Sequence, residues 1–310
     1  MANKLISIVT PCFNEEDNIN ELYERIKNVM ASSHYQYEHI FIDNASIDHT
    51  AEKLRLLANQ DNHVKVIFNT RNFGHVRSPV HALLQASGDA VIAMASDLQD
   101  PPERIPDFLR KWEEGFPVVV GVKEKTEDSP LFHFLRTGYY RFLRALTDVE
   151  LIENFTGFGL YDRKVLDTIR NINDPYPYFR GLIPDLGFTT ARIVFTQQRR
   201  KRGLSKNNFY TLYDLAMLGL TNYTKIPLRL AAMFGFLSSF ISFTIGLVYL
   251  IYKLIFWYQF SLGAAPLVIG LFFLGSVQLM FLGIVGEYIG AIHTQIMRRP
   301  LVIEKERINF

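Results

Sequence analysis

From Leu230 to Tyr252, and again from Pro266 to Gly286, no side chain carries a charge. Wound as helices at about 1.5 Å per residue, both stretches are long enough for the roughly 30 Å hydrocarbon core of a bilayer. The competing reading is a helical hairpin buried in a soluble core. Arg199, Arg200, Lys201, Arg202, Lys206, Lys225 and Arg229 precede the first stretch, and Arg298 and Arg299 follow the second. Basic flanks stay on the cytoplasmic side, so both ends of the hairpin are expected there. The connection from Tyr258 to Ala265 is uncharged, as suits a loop that has crossed, and Lys253 and Trp257 fit the far interface.

The remaining sequence has room for one α/β domain. A net charge of +2 argues against a generally basic nucleic-acid binder. Cys12 is the single cysteine, so no intrachain disulfide can form. Met1-Ala2-Asn3-Lys4 runs directly into a strand-like segment without the apolar run of a signal peptide, so the first domain is expected in the cytoplasm.

Residues 5 to about 121 alternate short β-branched runs with amphipathic stretches, the pattern of a parallel sheet covered by helices on both faces. Strands are expected near Ile6–Thr10, His39–Asp43, Val64–Asn69, Ala90–Ala95 and Val118–Val122. Between them, Ile19, Leu22, Tyr23 and Ile26 share a helical stripe, Asp48 or Thr50 can cap the next helix, and Pro101-Pro102 opens another. Two aromatic and basic segments, 131–146 and 209–225, have the spacing of interfacial helices; packing on the sheet or on a sister subunit is the alternative.

In open α/β sheets, ligands collect beyond the carboxyl ends of the strands. The polar clusters fall there: Pro11–Glu16, Asp43–Asp48, Arg71–His75 and Ser96–Asp100. Asp97 and Gln99, two residues apart on a segment read as extended, could aim hard oxygens at one cation; otherwise Asp97 or Asp100 caps the helix that follows. His75 and His81 have no metal-ligand partners at useful spacing.

The motifs Pro11-Cys12-Phe13-Asn14-Glu15-Glu16, Asp43-Asn44-Ala45-Ser46-Ile47-Asp48, Arg71-Asn72-Phe73-Gly74 and Asp97-Leu98-Gln99-Asp100-Pro101-Pro102 resemble those of inverting glycosyltransferases with the GT-A fold. Arg200-Lys201-Arg202-Gly203-Leu204-Ser205-Lys206, and two spans ending Gly286-Glu287-Tyr288-Ile289-Gly290, narrow the resemblance to polyisoprenyl-phosphate glycosyltransferases related to dolichol-phosphate mannose synthase and bacterial undecaprenyl-phosphate glucosyltransferases. It implies an α/β fold: a Rossmann-like, mostly parallel GT-A sheet flanked by helices, then interfacial helices and two transmembrane helices. It also implies that Pro11, Asn14, Glu15, Asp43 and Asn72 hold the nucleotide, and that Asp97 and Gln99 hold Mg²⁺ or Mn²⁺. Lys123, Arg136, Arg200, Arg202, Ser205 and Lys206 would meet phosphate or the lipid acceptor, Lys125 is a further basic candidate, and Tyr176, Tyr178, Phe179 and Arg180 could cover the sugar.

Two positions depart from the family. Ala95 and Ser96 stand where Asp-x is usual before Asp97, and Gly157 stands where many members carry a carboxylate. Glu153 or Asn154 is the candidate replacement, and with Asp97 they complete the expected catalytic set. The expected organisation is a catalytic domain over 1–208, an interfacial helix over 209–225, a hairpin over 226–291 and a cytoplasmic tail over 292–310. The expected reaction moves a hexose such as glucose from a UDP-sugar to undecaprenyl phosphate or a similar carrier, with inversion, in a membrane-bound homo-oligomer. An amino- or deoxy-sugar donor, or a catalytically impaired lipid-carrier scaffold, is the alternative.

Overall fold

The computed structural model describes residues 4–124, 152–197, 217–256 and 264–310. Two compact units emerge: Met1–Phe209 with Met297–Phe310, and Tyr210–Ile296.

The first unit is built on an eight-stranded sheet in the order β7-β5-β6-β4-β1-β2-β3-β8. The strands are β1 Leu5–Cys12, β2 Gln36–Asp43, β3 Val64–Asn69, β4 Ala90–Ala93, β5 Val118–Lys123, β6 Phe155–Asp162, β7 Thr190–Phe195 and β8 Glu304–Ile308. β3, β2, β1 and β4 run parallel, as do β5 and β7; β6 runs antiparallel to both β4 and β5, and β8 antiparallel to β3. Six strands therefore end on one edge, and β6 and β8 begin there.

Helices α1 (Ile19–Ala31), α2 (Thr50–Gln60) and α4 (Ile105–Glu113) cover one face. α3 (Gly74–Gln85), α5 (Arg163–Ile172) and α6 (Phe179–Asp185) cover the other. Period-two alternation decides which strand residue meets which layer: Ile6 and Ile8 of β1 pack with Leu22 and Phe108, while Val9 packs with Ala82 and Leu83. The Ile19, Leu22, Tyr23, Ile26 stripe is buried as its spacing predicts, and the Asp48 carboxylate accepts the first N–H of α2, that of Thr50, at 3.0 Å. Pro102–Arg104 forms a 3-10 turn that leads into α4. Gly121 leaves room for an aromatic stack: a Cβ there would lie 2.9 Å from both Phe158 and Phe195, which meet edge to face at 5.4 Å.

β8 lies in the segment read from sequence as a tail. Residues 292–296 still belong to a helix, and the chain then turns back to the sheet. Thr70 N–H donates to Ile303 O at 2.9 Å, Arg55 pairs with Glu306 at 2.7 Å, and the Asn309 amide donates to Ala58 O and Val64 O. His81 is taken up at 2.5 Å by Glu304.

In the second unit, α7 (Ile226–Ile255) and α8 (Ala264–Ile296) contain apolar segments of 23 and 24 residues, Ile226–Val248 and Phe273–Ile296, long enough to cross a membrane. Almost none of either segment is buried within the protein. A helical hairpin in a soluble core would be sealed; here Phe236 and Leu279 are 78% and 70% exposed. Thr224 closes the entry to α7, its carbonyl accepting from the Tyr288 hydroxyl at 2.7 Å. Of the expected interfacial helices, residues 217–223 are helical; 131–146 lies outside the described residues.

Candidate active site

The loops after β1 and β2 are zipped together. Asn14 sits at φ 54°, which aims its N–H at the Ser46 hydroxyl (2.9 Å) while its Oδ1 accepts from Ile47 N–H (2.9 Å). Glu15 N–H donates to Thr50 Oγ1 (2.9 Å), and Glu16 and His49 bond across the same seam. Asp43, buried at the end of β2, accepts from the Ser46 hydroxyl and backbone N–H. Burial pushes its carboxyl pKa up, and the Ser46 hydrogen bonds oppose the shift. Beneath the seam the Cys12 thiol is raised by burial and by the neighbouring Asp43 and Glu15 charges, while a hydrogen bond to Ser96 opposes them. Three strand-end loops thus meet around Cys12.

The loop after β3 is held by amides. Asn44 Nδ2 donates to Asn72 Oδ1 (2.8 Å), Asn44 Oδ1 accepts from Asn69 Nδ2 (3.0 Å) and Phe73 N–H (2.9 Å), and Asn69 also donates to the Ser78 hydroxyl (3.0 Å). Asn72 is thereby fixed beside the Asp43 loop, its oxygen also accepting from Gly74 N–H.

Past β4 the chain alternates: Met94, Ser96, Leu98 and Asp100 are buried, while Ala95, Asp97 and Gln99 are half-buried. The segment is a turn rather than the extended run expected, because Leu98 has φ 59° and Asp97 Oδ1 accepts from Gln99 N–H at 3.2 Å. Asp100 points inward, where its carboxyl is raised to about 7, first by burial and then by the Asp97 charge; the Ala95 N–H, Lys123 and Arg180 pull the other way. Asp97, Lys123 and Arg180 are therefore close enough to act on one buried carboxyl. Arg180 comes from the start of α6.

Lys123 ends β5, and its N–H donates to Asn154 O at 3.3 Å, which brings Glu153 and Asn154 to the same edge. Asn154 has φ 58° and Glu153 is exposed. Gly157 follows at φ 101°, where the β5–β6 register shifts and the Tyr161 hydroxyl donates to its carbonyl (2.9 Å). Any Cβ there is strained although it meets none of the described residues, so the missing carboxylate coincides with a backbone shape that favours glycine.

Pro11, Asn14, Glu15, Asp43, Asn72, Asp97, Gln99, Lys123, Glu153 and Asn154 thus all lie on one edge of the sheet. Lys125, Arg136, Arg200, Arg202, Ser205 and Lys206 lie outside the described residues. Among the described residues, no three His, Cys, Asp or Glu side chains gather to hold a metal. Asp97 and Gln99 bring one carboxylate and one amide oxygen, hard donors that fit Mg²⁺ or Mn²⁺ when diphosphate oxygens and water complete the coordination.

Residues 7–170 match the family model described as "Glycosyl transferase family 2". The chain is 36% identical to "Uncharacterized glycosyltransferase YkcC" of Bacillus subtilis (strain 168), over 96% of this chain and 92% of that protein. It is 33% identical to "SfII prophage-derived bactoprenol glucosyl transferase" of Shigella flexneri, over 97% of each. Among solved structures, mannosyl-3-phosphoglycerate synthase from Rubrobacter xylanophilus superposes with a TM-score of 0.51 at 16% identity, covering 69% of this chain and 71% of that one. At that identity the match speaks for the fold alone.

Proposed function

The chain belongs to glycosyl transferase family 2, and on that premise we propose that it transfers glucose from a UDP-sugar to a polyprenyl phosphate at the cytoplasmic membrane surface, with inversion. The observation that carries this reading is similarity along the whole length, both apolar helices included, to a bactoprenol glucosyl transferase. A site assembled from five strand-end loops of one sheet supports it.

Pro11, Asn14, Glu15, Asp43 and Asn72 are proposed to hold the nucleotide, with Asp43 at the base edge. Asp97 and Gln99 would hold Mg²⁺ or Mn²⁺, which supplies neutralising charge at the departing diphosphate. Lys123 and Arg180 add positive charge near the buried Asp100. The acceptor is a phosphomonoester with a second pKa of about 6, so it is already largely anionic at neutral pH and needs no strong base. What it needs is alignment opposite the leaving group. Glu153 and Asn154 are proposed to orient it, and Lys123, Arg136, Arg200, Arg202, Ser205 and Lys206 to bind its phosphate. In α8, Gly283, Gly286 and Gly290 face open space among the described residues, and this small-residue stripe is proposed to pack against a second copy in a homo-oligomer.

The test is transfer by the purified full chain from radiolabelled UDP-glucose to undecaprenyl phosphate, with and without Mn²⁺. A lipid-linked product that needs the acceptor and the cation is expected. No such product from UDP-glucose, against a positive result with another nucleotide sugar, would replace the donor; none from any nucleotide sugar, with lipid still bound, would favour the impaired scaffold.

A further inference from the structure

Three arginines crowd one place, and among the described residues no carboxylate pairs with them. Arg71 lies over the Phe73 ring at 4.0 Å and Arg77 lies 5.5 Å from the same ring. Arg77 donates to Pro300 O, which brings the neighbouring Arg299 into the group. Among the described residues none of the three forms an ion pair: the recorded partners are the carbonyls of Asn72 for Arg71 and of Pro300 for Arg77. Arg77 Nε is shut from solvent and has no hydrogen-bond partner among the described residues. Burial lowers the Arg77 pKa and the Arg71 and Arg299 charges lower it further, while Tyr176 pulls the other way, so the arginines repel one another across a short distance.

Such an arrangement is costly unless an anion relieves it, and guanidinium groups offer planar, multiple donors to phosphate oxygens. The position says which phosphate. Arg299 is three residues beyond Ile296, the last residue of α8, so the covalent chain holds it within about 11 Å of that helix end. Arg71 and Arg299 are exposed. Simple positive flanking of a span would require Arg298 and Arg299 alone; here two arginines of the folded domain join the flank.

We propose that Arg71, Arg77 and Arg299 form a binding site for the phosphate of an anionic membrane lipid, separate from the acceptor-phosphate residues. The site would tie the loop after β3, which carries Asn72, to the bilayer surface. This rests on the reading that α8 crosses a membrane.

The test is native mass spectrometry of the detergent-solubilised full chain titrated with phosphatidylglycerol or phosphatidylcholine. The wild type should retain phosphatidylglycerol preferentially, and each arginine removed should weaken that retention about fivefold. The variants are Arg71→Gln with Arg299→Gln, both exposed, and Arg77→Gln separately. Unchanged retention in the double variant overturns the site, as does an equal loss in Arg104→Gln with Arg110→Gln, which removes the same charge elsewhere. If inorganic phosphate displaces the lipid and raises the Tm of the wild type but not of the double variant, the site takes free phosphate and the lipid assignment falls. A chain that makes lipid-linked glucose without lipid preference loses only this site; one with the preference and no product loses only the proposed reaction.

Discussion

At the scale of single residues, Asp97 carries the heaviest demand, because Ala95 supplies no second carboxylate two residues before it. Asp97→Asn keeps the shape and removes the charge. Transfer should fall by about 10²-fold or more with an unchanged Tm, and an unchanged rate would remove Asp97 from the site. His39 governs stability instead. Its ring lies 3.8 Å from that of Phe41, its Nε2 meets Thr10 Oγ1 at 3.0 Å, and its Nδ1 is buried without a partner among the described residues. Burial pushes its pKa down to about 3. The unfolded chain takes up a proton near pH 6.5 that the folded chain refuses, so this stability is complete above about pH 6.5 and is lost as pH falls toward 3. At pH 5 the loss is about 2 kcal/mol. His39→Gln should flatten the fall in Tm between pH 7 and pH 5; an identical slope in the variant would assign the acid sensitivity to other groups.

At the scale of elements, the β6 bulge offers a direct test. Gly157→Ala meets no atom of the described residues but forces a side chain onto φ 101°, and should lower stability by about 1–2 kcal/mol, read as a Tm several degrees lower. No change would mean that the bulge relaxes. The same strand explains what the sequence hid. β1 to β5 announce themselves through runs such as Ile40-Phe41-Ile42 and Val118-Val119-Val120, buried on both faces of the sheet. β6 reads Phe-Thr-Gly-Phe-Gly-Leu-Tyr-Asp, and its two glycines look like a loop. β8, Glu-Lys-Glu-Arg-Ile, has no apolar period because it is an edge strand, fixed by Arg55–Glu306 and His81–Glu304 rather than by burial. The strand-end loops were legible because their polar clusters follow apolar runs directly. Arg180 was visible only as part of an aromatic and basic cluster, since it reaches the Asp100 neighbourhood from a seven-residue helix far along the chain.

At the scale of the whole molecule, β8 constrains topology more firmly than the count of basic residues does. Val66 pairs with Ile308 and Phe68 with Glu306, so the chain before α7 and the chain after α8 end in one hydrogen-bonded sheet. A sheet cannot straddle a bilayer, because hydrocarbon leaves the backbone groups of an interrupted ladder unsatisfied. The number of crossings between the two flanks must then be even, which the proposed crossing of both apolar helices satisfies. The basic flanks support the proposal that this shared side is the cytoplasm. Cys12 is buried, so single introduced cysteines can report the sides with little background. In intact cells a membrane-impermeant maleimide should label Ser261→Cys, between the helices, and should reach Lys305→Cys, exposed on β8, only after the membrane is opened. Labelling of both in intact cells, or of neither, would mean that α7 and α8 do not form a crossing hairpin, and the site would lose its reason to face a lipid acceptor.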